Sequence, residues 1–385
     1  MTSINRTSTN PTSINLTSIR RPRRGRMLTA VLAAGALVVA ACGSDDNDVD
    51  TTDAPAVTDA PAAPEPGDPA APDASDISVA VVLNGELGDE AFFDSANRGA
   101  QRAIDELGIS VRVIEAGLDP AGWEPALRSA VASGDYDLII TGTFPMADVL
   151  EPVSQEFPDQ QFVFYDAELA GDNIHSILYS QNEASYLAGI VAAATSGSGE
   201  LDGLNEGVTL GFVGGRDLPA INDVRVGFEK GAQAGDENDE VIVAYAGGFG
   251  DPGQGRELAE AQIDQGADVV FQVAGGTGFG VFEAAGARGV YAIGVDSNQN
   301  PLAPGTILTS VMKNVDNSLF QAMERFVAGD LAFGVTEVLG LAEDGVGLAQ
   351  DEFSDDLVPA DVQAMVDDAR AAIIAGEIQV DSTLG

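Results

Sequence analysis

The chain has 385 residues, 61 of them acidic against 18 basic, for a formal net charge of −43. That length exceeds one compact core and predicts two domains, which 45% hydrophobic residues are ample to fill. So acidic a surface repels nucleic acid and anionic membrane; one cysteine excludes an internal disulfide or a multi-cysteine metal site, and one histidine leaves triad chemistry to His175 alone.

Residues 1–41 carry six arginines and no acid, with Arg20-Arg21-Pro22-Arg23-Arg24-Gly25-Arg26 standing directly before an apolar run over 27–41. Basic, then apolar, then small is the order of a secretory signal, and the run is too short to span a bilayer comfortably. Val39-Ala40-Ala41-Cys42 resembles a bacterial lipobox, so residues 1–41 read as a lipoprotein signal peptide and Cys42 as the lipidation site. Once that segment is removed, 12 basic residues face 61 acidic ones, a net charge of −49. Residues 42–76, rich in Ala, Pro and Asp with almost no large apolar side chain, read as a disordered tether. The expected location is outside the cytoplasm, on the cell membrane, held there by the lipid anchor only.

From residue 77 onward short β-rich runs alternate with helical spacing. Strands are predicted over 77–83, 111–114, 136–141, 161–165 and 174–179, and helices over 91–107, 123–132 and 147–157. A helix over 183–195 and the loop Ser196-Gly197-Ser198-Gly199 lead into a second series. It has strands over 208–213, 241–246, 269–273 and 291–295, and helices over 220–234, 255–265 and 279–288. The last segments, a strand over 307–311, a helix over 315–328, a strand over 335–339 and a helix over 360–375, are expected to cross between domains. Near-continuous apolar strands separated by helices indicate parallel sheets covered on both faces, hence an α/β chain with two doubly wound parallel-sheet domains joined by a hinge. The expected division is 77–180 with about 308–334 in one lobe, and 181–307 with about 335–385 in the other.

Ligands in such folds bind beyond the carboxyl ends of the strands, so the loops there hold the candidates. After the first strand come Asn84, Asp89 and the pair Phe92-Phe93 at a helix start. Adjacent helical residues point about 100° apart, so one Phe is expected in the core and one in the cleft. Asp166 emerges from the 161–165 strand, suited either to gripping two hydroxyls or a ring N–H, or to capping a turn. Phe249 lies beyond the 241–246 strand, and Gly275, Gly276, Thr277 and Gly278 follow the 269–273 strand, where backbone N–H groups can approach a ligand closely. That glycine run is neither the phosphate loop nor the dinucleotide fingerprint. Asp296 stands at the end of the 291–295 strand, and Lys313, one of two lysines in the chain, beyond the 307–311 strand. His175 reads as a solvated loop residue. With no metal-ligating run and no activated nucleophile, no enzyme activity, catalytic residue, metal or cofactor is expected.

Taken together, these motifs resemble the BMP (basic membrane protein) family, whose PnrA-like members are purine nucleoside receptors. The family's G-D-x-x-F-N appears as Gly88-Asp89-Glu90-Ala91-Phe92-Phe93, with Phe93 in place of the Asn, and its Glu-Ala-x-Tyr-Leu-Ala-Gly as residues 183–189. Ala-Gly-Gly-Thr-Gly at 274–278, Gly-Val-Asp-Ser-x-Gln at 294–299 and Thr-Ser-x-x-Lys at 309–313 follow in family order, so the resemblance covers about 77–340. It implies a type I periplasmic-binding-protein fold and a substrate-binding lipoprotein that takes a small-molecule ligand, a nucleoside, to the permease of an ABC transporter. It further implies Phe92 and Phe249 as the faces that sandwich a purine, Asn84 as the base reader, and Asp89 and Phe93 beside them. Asp166, Asp296 and Lys313 would hold the ribose hydroxyls, with the backbone of 275–278 close to the sugar. The alternative on the same fold is a receptor for a sugar or a signalling molecule.

Overall fold

A computed structural model describes residues 74–384, apart from 206 and 236; the signal segment, Cys42 and the tether as far as residue 73 lie outside the described residues. The order begins β1 (Ser78–Leu83), α1 (Phe92–Leu107), β2 (Ser110–Glu115), α2 (Trp123–Ser133), β3 (Leu138–Gly142), α3 (Ala147–Glu156), β4 (Gln161–Tyr165) and β5 (Ile174–Tyr179). It continues with α4 (Gln181–Ser198), β6 (Thr209–Gly214), α5 (Pro219–Ala232), β7 (Glu240–Tyr245), α6 (Pro252–Ile263), β8 (Val269–Val273), α7 (Gly278–Arg288), β9 (Tyr291–Asp296) and β10 (Ile307–Lys313). It ends with α8 (Val315–Ala328), β11 (Val335–Leu339), β12 (Val346–Leu348), α9 (Glu352–Asp355) and α10 (Ala360–Ile374). Every strand and helix expected from the pattern forms, with ends displaced by a few residues; β12 and α9 are additions. Residues 74–76, expected to belong to the tether, form a helical turn.

Two six-stranded sheets result, in the orders β11-β5-β4-β3-β1-β2 and β12-β10-β9-β8-β6-β7. All pairings are parallel except β12 against β10. The inner strands β3 and β8 are buried throughout, as strands covered by helices on both faces must be, while the edge strands β2 and β7 are only partly buried.

The lobe division expected at about 308 and 335 differs from these sheets. β10 pairs with β9 and so belongs to the second sheet, while β11 runs alongside β5 with Val335 opposite His175 and closes the first. The reason is edge chemistry: β10 is almost wholly buried and needs hydrogen-bonding neighbours on both sides, which β9 and β12 supply. β11, with Val335 and Val338 exposed, suits an outer edge. α8 packs on α1 of the first lobe, so the chain changes lobe between β10 and α8.

The same pairing corrects His175, which is not a solvated loop residue. It lies inside β5 at 2% exposure, with Nδ1 2.8 Å from the Ala332 carbonyl and Nε2 3.3 Å from Glu337 on β11. Arg325 Nη2 donates to the same Glu337 carboxylate at 2.6 Å. β11 covers this position, and its arrival from so far along the chain has no local signature around residue 175.

Buried α4 begins the second lobe and meets α5 at unusually close range. A Cβ on Gly189 would come within 2.2 Å of the Phe228 carbonyl oxygen, and one on Gly231 within 1.9 Å of the Tyr186 carbonyl oxygen. Both contacts are to backbone, so no side chain can yield. Among the described residues no helix is long and apolar enough to cross a membrane. Gly231→Ala is expected to destabilise the chain by about 1–3 kcal/mol through overpacking of the α4–α5 crossing. Thermal unfolding checks this, and an unchanged melting temperature would show that the helices separate freely.

Candidate ligand-binding site

The two sheets place equivalent loops opposite one another. β4 and β9 are each third from the start of their sheet, and Asp166, just past β4, and Asp296, the last residue of β9, both have φ = 64°. β3 and β8 match in the same way, with Thr143 at φ = 77° and Gly275 at φ = 54° beyond their ends. A non-glycine residue with positive φ is uncommon and holds only where its surroundings demand it. Here the sharp turn out of the sheet aims each side chain at the space between the lobes.

That space is a cavity of about 460 Å³, within the range of about 300–1,000 Å³ usual for small-molecule sites. The lobes meet around it. Lys313 Nζ donates to Asp166 Oδ1 at 2.7 Å, Ser297 Oγ to the Ala91 carbonyl at 2.8 Å, and Gln299 Nε2 to the Glu90 carbonyl at 3.2 Å.

Phe92 and Phe93 both line the cavity, so the expectation of one core and one cleft Phe is not met. The Phe92 ring stacks on Tyr165 with centroids 5.5 Å apart, and Phe93 meets it edge-on at 5.4 Å. Phe93 stays in the cleft because its ring folds back over Gly85, where a Cβ would lie 2.1 Å from it. In the second lobe Phe249 lies over Gly215 in the same way, at 2.2 Å from a would-be Cβ. Asn84 lines the wall and donates through Nδ2 to Thr143 Oγ1 at 2.7 Å.

Asp89 also borders the cavity, but its oxygens accept from the backbone N–H groups of Ala91, Phe93 and Asp94, and so build the first turn of α1. Burial pushes its carboxyl above the usual range while those three N–H groups pull it back. Gly275 and Gly276 lie in the wall. Thr277 and Gly278 are behind it: Thr277 is fully buried, accepts the Asp251 N–H at 2.9 Å and donates to the Gly248 carbonyl, bracing the Phe249 loop. Gly278 leaves room for the Gln272 side chain.

Lys313 sits between the two left-handed aspartates, 2.7 Å from Asp166 and 3.8 Å from Asp296, with all three side chains largely buried. Its ammonium is 5.3 Å from the Phe92 ring centre. Burial works against the charge on Lys313, yet the carboxylates of Asp166 and Asp296 hold its pKa above the usual lysine value. Burial raises Asp296 to about 6, with Lys313 pulling it down and Asp166 pushing it up. The arrangement offers one cationic donor and two carboxylate acceptors to a ligand rich in hydroxyl groups. Gln299 holds this loop in place, its Oε1 accepting from Val295 N–H and from Gln272.

Leu118, Trp123, Phe144 and Arg216 line the cavity as well and were not singled out in the sequence. Leu118 had a signal. Ala116-Gly117-Leu118-Asp119-Pro120 repeats the design of Ala246-Gly247-Gly248-Phe249-Gly250-Asp251-Pro252, with Gly117 and Gly247 at φ of 77° and 82°. In each, the Asp accepts a backbone N–H at the start of the next helical segment. Trp123 donates to the Gly117 carbonyl at 2.8 Å and so joins the same wall. Among the described residues no cluster of His, Cys, Asp and Glu could hold a metal ion.

Two doubly wound lobes closing on a cavity at their strand ends define the class of two-lobed solute receptors. Residues 77–383 match the family model described as ABC transporter substrate-binding protein PnrA-like, and the chain belongs to this Bmp family of substrate-binding proteins. It is 32% identical to the CD4+ T-cell-stimulating antigen of Listeria innocua over 92% of this chain and 96% of that one. It is 31% identical to an uncharacterized lipoprotein of Pyrococcus abyssi over 71% of this chain and 69% of that one. A solved solute-binding protein of an ABC transporter system from Aeropyrum pernix K1 superposes with a TM-score of 0.73 at 31% identity, covering 79% and 92% of the two chains. The fold is that of the type I periplasmic binding proteins, and the family makes a small molecule and a transporter permease its partners.

Asp296 also sets a pH dependence. Its carboxyl stands at about 6 in the folded chain against 3.8 for the free group, so between those values the folded state binds the extra proton. Its contribution to stability therefore increases as pH falls through about 6 and is complete near the lower value. Lowering pH from about 7 to about 4.5 is expected to raise the melting temperature of the native chain relative to Asp296→Asn. A difference independent of pH would mean that Asp296 is not held against its ionisation.

Proposed function

We propose that this protein captures a nucleoside, preferably a purine nucleoside, outside the cell membrane and presents it to an ABC importer while tethered through a lipidated Cys42. The observation that carries the reading is one cavity between the lobes whose wall holds Phe92 and Phe249, aromatic residues from opposite lobes, together with the Asp166–Lys313–Asp296 trio. Aromatic faces suit a flat base, at about 0.5–1.5 kcal/mol per ring contact beyond area burial. Charged groups suit vicinal hydroxyls, at about 1.5–3 kcal/mol per hydrogen bond. The wall carries five carboxylates, those of Glu86, Asp89, Asp166, Asp251 and Asp296, against the two cations Arg216 and Lys313. That balance disfavours a phosphorylated ligand.

Closure of the lobes is the step that couples capture to delivery: the ligand favours the closed form because it touches both walls at once, and a permease reads that form. The site has acceptors and a paired lysine but no activated nucleophile, and we read it as a binding site without catalysis. The Pyrococcus relative, named as a lipoprotein, supports the anchor.

A thermal-shift series on residues 74–385 with inosine, guanosine, adenosine, cytidine, ribose and arabinose tests the reading. Ligand at 100 times its dissociation constant stabilises the folded chain by about 2.7 kcal/mol. A shift with purine nucleosides and none with ribose is expected, and Asp296→Ala should weaken binding more than about tenfold in calorimetry. A shift with the sugars alone would move the assignment to a sugar receptor. For the anchor, Cys42→Ser should release the protein from membranes into the medium and abolish labelling by a fatty acid; membrane retention without label would exclude lipidation at this residue.

A further inference from the structure

Arg216 is a cation of the cavity wall that forms no ion pair among the described residues. It follows β6 across Gly215, with its Nε buried and without a hydrogen-bond partner. Lys313, the other cation of the wall, is held by two carboxylates. Its terminal nitrogens, on a side chain that is only partly buried and borders the cavity, are open to an acceptor on the ligand.

Geometry narrows what that acceptor is. The guanidinium carbon of Arg216 is 6.0 Å from the centre of the Phe249 ring. Phe249 in turn rests on Gly215, the residue next to Arg216, so ring and guanidinium are fixed to the same stretch of backbone. A base stacked on Phe249 brings its edge to those donors. Guanidinium has five N–H donors and no acceptor, in a planar fork that fits a carbonyl oxygen beside a ring nitrogen. The O6 and N7 atoms of a 6-oxopurine are such a pair, whereas adenine sets an amino donor next to N7. Asn84 points the same way: with Nδ2 given to Thr143, it keeps its carbonyl oxygen for a ring N–H. A 6-oxopurine carries that hydrogen at N1 and adenine does not. The five wall carboxylates argue against the remaining kind of acceptor, an anionic group.

We propose that Arg216 is a specificity-determining residue that selects 6-oxopurine nucleosides, such as inosine and guanosine, over adenosine by donating to the O6–N7 edge. The inference rests on the nucleoside reading above and adds to it which base is chosen and by which side chain.

Calorimetry of the native chain, Arg216→Met and Arg216→Lys with inosine, guanosine and adenosine decides it, with circular dichroism to establish folding. The native chain is expected to bind inosine and guanosine at least about tenfold more tightly than adenosine. Arg216→Met should lose about tenfold or more for the two 6-oxopurines while adenosine changes by less than about threefold, so the preference disappears. Arg216→Lys, which keeps the charge but not the fork, should also lose most of the preference. Equal native affinities for inosine and adenosine, or an equal loss of both in Arg216→Met, would overturn the role of Arg216 and leave the nucleoside reading standing. Failure of the native chain to bind any of the three would remove both. Should the Met variant not fold, the native preference and the Lys variant decide between the same outcomes.

Discussion

The buried ammonium of Lys313 is the contact on which the closed arrangement of the lobes depends. Two acidic lobes of a chain with net charge −43 repel each other, and each contributes an aspartate to the same cavity. Without a cation between them, Asp166 and Asp296 would be two desolvated like charges facing across a gap. Lys313 lies at the end of β10, the last strand before the chain crosses to α8, so the residue that bridges an aspartate of each lobe also stands where the lobes are joined. Its neighbours Phe92 and Tyr179 place aromatic faces near the ammonium and exclude water, which strengthens its attraction to the carboxylates.

The lobes achieve this with matched parts. A left-handed aspartate ends the third strand of each sheet, a positive-φ residue follows the fourth, and an Ala-Gly…Asp-Pro loop follows the sixth. The differences between the halves lie in what those loops carry. Where the second lobe has Phe249, the first has Leu118, whose Cδ1 lies 2.9 Å from the position a Cβ would take on Gly250. A wall that is aromatic on one side and aliphatic on the other closes tightly without requiring the two loops to be alike.

Most of the fold was legible in the sequence because a parallel sheet covered on both faces imposes uninterrupted apolar runs, and these mark β1, β3, β4 and β8 directly. The carboxyl ends of the strands then pointed to Asn84, Asp166, Phe249, Asp296 and Lys313, all of which line one cavity. Pairing between distant strands was not legible: nothing near residue 310 or 337 states which sheet will receive it, and the environment of His175 followed from that. Nor did sequence separate wall from support. Thr277 belongs to the same glycine-rich run as Gly275, yet it faces the Phe249 loop; Asp89 stands in a recognisable motif, yet its oxygens are taken by backbone N–H groups. Arg216 carried no pattern of its own, and its interest lies in its place on the cavity wall without an ion pair among the described residues.

The exchange of β10 and β11 between lobes has a consequence for the order in which the molecule is assembled. The first sheet waits for β11, which the whole second series of strands and helices separates from β5. A chain emerging amino-terminus first therefore has no finished lobe until nearly all of it is available. Closing so long a loop also makes the first lobe slow to form. No single cleavage between β5 and β6 would yield two self-sufficient halves, since the amino-terminal piece would expose the bare edge of β5. Such topology leaves the polypeptide without a finished lobe, and so open to threading, until most of it is available.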